Sequence, residues 1–323
     1  MSIPSQSRLM GFHPSRRDLL KRGLALAAVT SCPFGLRSAQ AASQEVHTFK
    51  CGACDVTVLS DGTMSMPFSF SMPGRDPKEI EALFRSAGLP TDGITAQVNV
   101  TVVKTPDALV LIDTGGGSDF VPSVGKLADR LDAAGFAPEA FTHVIFTHAH
   151  ADHLWGVIDP LDGGTKFTKA RHIMTATEFD FWNKPGREAD VPEMFKTMAI
   201  GTGRRLKAIG ERVELRKAGD EILPGITLAD SAGHTPGHVC VLVTSGTDRL
   251  MIAGDALNHP LVSFMNPGWR WGSDMDADGG VATRKRLLDQ LATDKSALLG
   301  YHLPWPGLGR VERAGDGYRF VQG

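Results

Sequence analysis

The sequence predicts a layered α/β domain, and three observations carry that expectation. Short apolar and β-branched runs, punctuated by Gly and Pro, recur from His47 onward. Runs of strands are followed by a helical pattern in mid-chain and by another near the end. At 323 residues with 42% hydrophobic side chains, the chain can bury a large core, and α/β folds reach this size as one domain. Strands then helix, met twice, suggest two similar halves, each a sheet with helices outside.

Taken in order, residues 55–60 and 98–104 cluster β-branched side chains. Ala108-Leu109-Val110-Leu111-Ile112 then runs into Asp113-Thr114-Gly115. Val121, Val124, Leu127 and Leu131, spaced by three and four, predict a helix over 121–134. Thr142-His143-Val144-Ile145-Phe146-Thr147 is the next strand, with more expected at 171–175, 212–216, 226–230, 239–244 and 249–253. A helix is expected near 280–293, and 309–313 with 318–321 reads as a hairpin about the turn 314–317. The Met-, Pro- and Phe-rich segment 64–95, with a helical piece at 77–87, reads as a packed surface loop, an arm or lid over the site being the alternative.

The first 42 residues are of another kind. Ser15-Arg16-Arg17-Asp18-Leu19-Leu20-Lys21 resembles a bacterial twin-arginine export signal. A short apolar stretch, 23–30, and the small-x-small site Ala39-Gln40-Ala41 follow it. The expectation is an export signal over 1–42, a mature domain over 43–323, and a periplasmic or secreted product. Val29-Thr30-Ser31-Cys32 also resembles a lipoprotein box, and processing there would make Cys32 a lipid anchor. No run reaches the ~18 apolar residues that a membrane span needs.

Residues 1–42 hold six of the 34 basic and one of the 36 acidic residues. The mature domain therefore carries 28 against 35, a formal net charge of −7. That balance argues against nucleic acid as a partner, since such binding rests on neutralising phosphates. Cys51-Gly52-Ala53-Cys54 has redox-motif spacing, but no second such pair completes a four-thiolate zinc site. A structural disulfide or plain turn thiols are expected there ahead of a redox pair, and Cys240 in its apolar run is expected to be inert.

The chemistry concentrates in His148-Ala149-His150-Ala151-Asp152-His153. In extended backbone His148 and His150 point the same way, while Asp152 and His153 can serve a second point nearby. Burying three His and an Asp in six residues without a metal would leave many polar groups to satisfy. Further candidates follow strand ends: His234 in Ser231-Ala232-Gly233-His234-Thr235-Pro236-Gly237-His238, Asp255 after Leu250-Met251-Ile252-Ala253-Gly254, and His302 after Gly300-Tyr301. Successive strand ends converge on one sheet edge, where α/β active sites form. Nitrogen and carboxylate donors without thiolate suit zinc and tolerate iron, cobalt or manganese.

These motifs, in this order and with Leu111-Ile112-Asp113-Thr114-Gly115 upstream, resemble those of the metallo-β-lactamase superfamily over about 47–321. The resemblance implies an αββα sandwich: two mixed β-sheets with helices on both outer faces. It implies two divalent metal ions, most simply Zn2+, one held by His148, His150 and His234. The other would be held by Asp152, His153 and His302, with Asp255 bridging. Asp152 and Asp255 would be ligands first and proton carriers second, and Asp113 a support to the ligands. His238 and His259 sit near these motifs and either support or line the site or simply pack. Asp255, where β-lactamases carry Cys or a residue that cannot bridge, points away from antibiotic hydrolysis. Val58-Leu59-Ser60-Asp61-Gly62-Thr63, Asp180-Phe181-Trp182 and Leu303-Pro304-Trp305-Pro306-Gly307-Leu308-Gly309 are similar to the methyl parathion hydrolase family. The loop 258–278 differs from that family.

Two ions roughly 3.5–4 Å apart can share a water and lower its pKa toward ~7, for attack on a carbonyl carbon or phosphorus. The expected substrate is a small ester-like molecule: an aryl ester, a lactone or an organophosphate triester. A quorum-quenching type of lactonase is the alternative, and a β-lactamase, a thioesterase or a non-catalytic metal-binding protein are lesser ones. Phe120, Trp182, Trp269 and Trp271 are the expected pocket wall. The family likeness also suggests a homodimer.

Overall fold

The protein is described by a computed structural model over residues 45–161 and 163–323. The expected export segment and Cys32 lie outside the described residues. Among the described residues no helix is long and apolar enough to cross a membrane.

Two seven-stranded mixed sheets pack face to face. The first is built in simple chain order: β1 (Val46–Cys51), β2 (Cys54–Met66), β3 (Ile94–Lys104), β4 (Leu109–Ile112), β5 (His143–Ile145), β6 (Arg171–Thr175) and β7 (Val213–Arg216). Its first four strands are antiparallel, and β4 to β7 run parallel. The second holds β8 (Glu221–Leu223), β9 (Ile226–Asp230), β10 (Val239–Ser245), β11 (Asp248–Ile252), β12 (Ala297–Leu299), β13 (Leu308–Ala314) and β14 (Gly317–Gln322). Only its β11–β12 pair is parallel among the named pairs.

The strands are apolar on both faces because both are covered, and alternation sorts their side chains. Ile112, Ile145, Ile173, Val241, Ile252 and Leu299 meet between the sheets. Their neighbours Leu111, Val144 and Met174 point outward under helices α2 (Leu127–Ala133), α4 (Ala176–Asn183) and α5 (Lys196–Ile209). Cys240, Met251 and Leu298 point the other way, under Leu287, Leu288 and Leu291 of α6 (Ala277–Asp294). Each buried leucine there contributes ~1.5–3 kcal/mol. The result is the αββα sandwich.

The helix expected over 121–134 begins only at Leu127. The buried carboxylate of Asp61 accepts the backbone N–H groups of Gly116, Gly125 and Leu127, which pins 116–126 as a loop. Gly125 is left-handed and its Cβ would fall 2.3 Å from the Gly117 carbonyl oxygen. Segment 64–95 is also more ordered than expected. Strand β2 continues to Met66, and a helix, α1 (Pro77–Ser86), packs Ile80 and Phe84 against Trp271. Helix α5 gave no sequence signal because Gly201 and Gly203 interrupt it. Gly201 is required there, since a Cβ would lie 2.1 Å from the Trp155 ring.

Cys51 and Cys54 face each other across the two-residue turn as buried thiols, not as a disulfide. Burial, with Cys54 and Asp248 adding to it, pushes the Cys51 thiol up to about 11, the reverse of an activated redox cysteine. Cys240 is fully buried.

Candidate metal centre

Strands β4, β5, β9, β11 and β12 all end at one edge of the sandwich, and each delivers a polar group there. After β5 the chain passes His148 and His150 and enters α3 (Ala151–Leu154), a single turn that carries Asp152 and His153. His234 follows β9, Asp255 follows β11 and His302 follows β12. All seven side chains are buried.

The ligand atoms fall into two groups. His148, His150, His234 and Asp255 each place one donor atom within 4.8 Å of the others, and so do Asp152, His153 and His302. Asp255 faces both. Its Oδ2 lies 3.2 Å from His234 Nε2, and its Oδ1 lies 2.9 Å from His153 Nε2 and 3.2 Å from His302 Nε2. Asp152 Oδ2 is 3.3 Å from His302 Nε2. His150 Nδ1 and His234 Nε2 are 2.9 Å apart.

Three of the ligand rings, His153, His234 and His302, are held from behind. Asp113, in left-handed conformation at the end of β4, takes His153 Nδ1 at 2.8 Å and the backbone N–H and hydroxyl of Thr147, both at 2.8 Å. Tyr301 stacks on His153 with centroids 3.8 Å apart and donates its hydroxyl to the Asp152 carbonyl at 2.7 Å. His234 Nδ1 meets Asp274 Oδ1 at 3.0 Å, and Arg284 donates to the other oxygen of Asp274 at 2.8 Å. His302 Nδ1 donates to the Gln97 carbonyl at 2.6 Å. His238 Nε2 accepts the backbone N–H of Asp255 at 3.0 Å.

The centre of this cluster is unsatisfied. His148 Nε2 is buried with no hydrogen-bond partner, and Asp255 Oδ1 and Asp152 Oδ2 crowd against His153 Nε2 at 2.9 and 3.4 Å without a well-formed hydrogen bond. Lone pairs aimed into one dry space are costly unless a cation takes them, so the residues present fit a pair of metal ions. The donors are nitrogen and oxygen only, a set that suits zinc and also accepts iron, cobalt or manganese.

Electrostatics differ across the cluster. Burial, helped by neighbouring imidazoles, holds His148 and His150 well below the usual histidine range, so their rings are neutral donors. Burial pushes His153 the same way, but Asp255, Asp152 and Asp113 outweigh it and raise the ring well above its usual range. His302 is raised to about 10, burial being overcome by Asp255 and Asp152. Burial would raise the carboxyls of Asp152 and Asp255. The surrounding histidines win, and both stay far below the ordinary carboxylate range.

Over the cluster lies a cavity of about 340 Å³, bordered by His150, Asp152, Asp255 and His302. Phe120 and Trp271, expected in the wall, line it. Trp182 does not. It is 1% exposed and sits behind His150, donating its indole N–H to Glu178 at 2.7 Å. Trp269 is also outside, under the guanidinium of Arg75. His259 neither lines the cavity nor supports a ligand; its Nδ1 accepts the Leu261 N–H and its ring stacks on Phe84. The expectation missed Met64, Met66, Phe70, Phe195 and Met198, which form most of the apolar wall. It also missed Glu178 and Asp274, buried carboxylates that tie the ligand loops. A larger groove, about 990 Å³, lies at the opposite strand ends against the turn before β11, away from every clustered ligand.

The family model of the metallo-beta-lactamase superfamily matches residues 93–302, and the chain belongs to that superfamily. A Mycobacterium tuberculosis protein named "probable metallo-hydrolase" is 26% identical over 189 residues, 52% of this chain. The chain spans 59% of the length of that relative. Among solved structures, the dizinc quorum-quenching lactonase AidC, in complex with an acyl-homoserine product, is 27% identical with a TM-score of 0.81. The superposition covers 86% of this chain and 97% of that one. The hydrolase AbOPH of the β-lactamase superfamily is 26% identical with a TM-score of 0.80, over the same shares.

Proposed function

We propose that this chain is a binuclear metal-dependent hydrolase that opens an uncharged ester-type bond, with lactones and aryl esters as its foremost substrates. The observation that carries this reading is Asp255, whose two oxygens face two ligand groups directly beneath an apolar cavity. Two divalent ions held there, one by His148, His150 and His234 and one by Asp152, His153 and His302, would supply an activated water and a Lewis acid for the acyl or phosphoryl oxygen. Asp255 and Asp152 hold the carboxylate oxygens of the two groups. Asp152 borders the cavity, so its carboxylate is held as a ligand beside the place where the alkoxide departs.

The wall sets the substrate class. Met64, Met66, Phe70, Phe120, Phe195, Met198 and Trp271 exclude water and favour an acyl chain or an aryl ring, and the polar groups besides the ligands are Ser65, Ser123 and Ser273. Among the described residues no Lys or Arg lines the cavity, which disfavours substrates carrying a free carboxylate or phosphate, β-lactams included. The likeness to a dizinc lactonase supports the lactone; neutral phosphotriesters are the second reading, since the same wall accepts them. The reading includes zinc as the native ion and export directed by Arg16 and Arg17.

The test is hydrolysis of a panel of lactones, aryl esters, phosphotriesters and β-lactams by protein of known metal content. Turnover of neutral esters, abolished by a chelator and restored by Zn2+, is expected. Protein that binds two ions but hydrolyses only β-lactams or phosphomonoesters would overturn the substrate assignment. Fractionation with N-terminal sequencing checks export.

A further inference from the structure

We propose that Glu178 is a positioning residue that assembles one of the two metal sites and leaves the other alone. The inference rests on the two-metal reading above. Glu178 is fully buried, and among the described residues four donors take its two oxygens. The N–H of Ala149, between His148 and His150, donates to Oε1 at 2.9 Å, and Trp182 Nε1 joins it at 2.7 Å. On the other side Thr235 Oγ1 donates to Oε2 at 2.7 Å and the Gly237 N–H at 3.0 Å, both in the loop that carries His234. One carboxylate thus ties together the two loops that supply all three histidines of one group. It bonds to none of the residues that carry Asp152, His153 and His302.

The local sequence disguises this role. Thr175-Ala176-Thr177-Glu178 has the spacing of a capping box, in which the glutamate would bond back to the N-cap N–H. Thr175 does cap α4, accepting from the Glu178 N–H at 3.3 Å. The glutamate carboxylate is spent instead on the two ligand loops. The fit is tight: a Cβ on Gly237 would lie 2.2 Å from the Glu178 nitrogen, so this loop approaches α4 as closely as a backbone can.

Glu178→Gln keeps the shape and sharpens the test. All four partners are donors, and two of them, Ala149 N–H and Trp182 Nε1–H, share one oxygen. The glutamine amide must then face either that pair or the Gly237 N–H, so a backbone donor in one of the two ligand loops loses its partner. Metal stoichiometry and affinity are read by elemental analysis and by competition with a chromogenic chelator on the full-length protein. Wild type is expected to hold two ions. E178Q is expected to keep one at unchanged affinity and to bind the second about 10–100-fold more weakly. Thr235→Val, which removes one donor and leaves the charge, is expected to weaken the same single site by a smaller factor, and it decides the matter if E178Q fails to fold. Two ions at wild-type affinities in a folded variant, or equal weakening of both, would overturn the proposal. A wild type that binds no metal would instead sink the two-metal reading itself.

Discussion

The two ligand groups are neighbours built on different plans. In the His148–His150–His234 group burial keeps the His148 and His150 rings neutral, and order comes chiefly from loops tied together by Glu178, with Asp274 meeting His234 Nδ1. In the Asp152–His153–His302 group, order comes from direct contacts to each ligand: Asp113 and Tyr301 on His153, and the Gln97 carbonyl on His302. The difference teaches that one centre can combine stiffening through loops, dominant in the first group, with stiffening through rings, dominant in the second. Asp255 alone belongs to both plans.

The largest effect should come where the plans meet. Asp255→Ala is expected to lower activity by more than about 10²-fold and to take bound metal from two ions toward one, because losing a shared ligand costs more than losing a support. Elemental analysis that still finds two ions per chain would refute the shared role. Asp274→Asn should come next, since it loosens His234 and also leaves the buried Arg284 without its carboxylate. A stability loss of about 3–5 kcal/mol by urea titration is expected, with the His234 site weakened. Asp113→Asn should weaken the Asp152–His153–His302 site most, about 10–100-fold, and the other site less, through Thr147 beside His148, read by chelator competition. Equal weakening of both sites by either variant would erase the distinction between the plans.

The last effect lies outside both groups and is confined to acid pH. His172 Nε2 is 3.0 Å from Thr165 Oγ1, and burial, aided by Arg212, pushes the ring down to about 4. With the folded value below the free one, the unfolded chain takes the proton first. The stabilisation is therefore whole above pH ~6.5 and is lost as pH falls toward 4, at up to ~1.4 kcal/mol per unit. His172→Gln should show a shallower loss of stability than wild type over that window, and parallel slopes would show that the histidine contributes nothing there.

Much of this was legible beforehand because ligands must sit where strands stop. The seven donor residues follow apolar runs, and most strands of both sheets could be read from such runs, but β1, β8 and β12 could not, and the two-sheet sandwich came from the family resemblance. The supports were harder to see. Glu178 and Asp274 lie 29 and 40 residues from the ligand loops they hold, and nothing in local periodicity links them. The pocket wall was hidden for a related reason. Met64 and Met66 belong to a strand that runs past its expected end, while Trp182, which looks like a pocket aromatic, is held inward by its own indole N–H. Aromatic type announces burial, and only packing decides which side of the ligand is buried.

The exposed turn at 217–220, closed by the Lys217 N–H on the Asp220 carboxylate, separates the strands of one sheet from those of the other. His148, His150, Asp152 and His153 precede it; His234, Asp255 and His302 follow it. Neither group is complete on one side of that turn. A chain cut there would carry two halves of a lock, and uptake of metal would report their reunion, which makes this turn the natural place to split the protein into a two-part sensor.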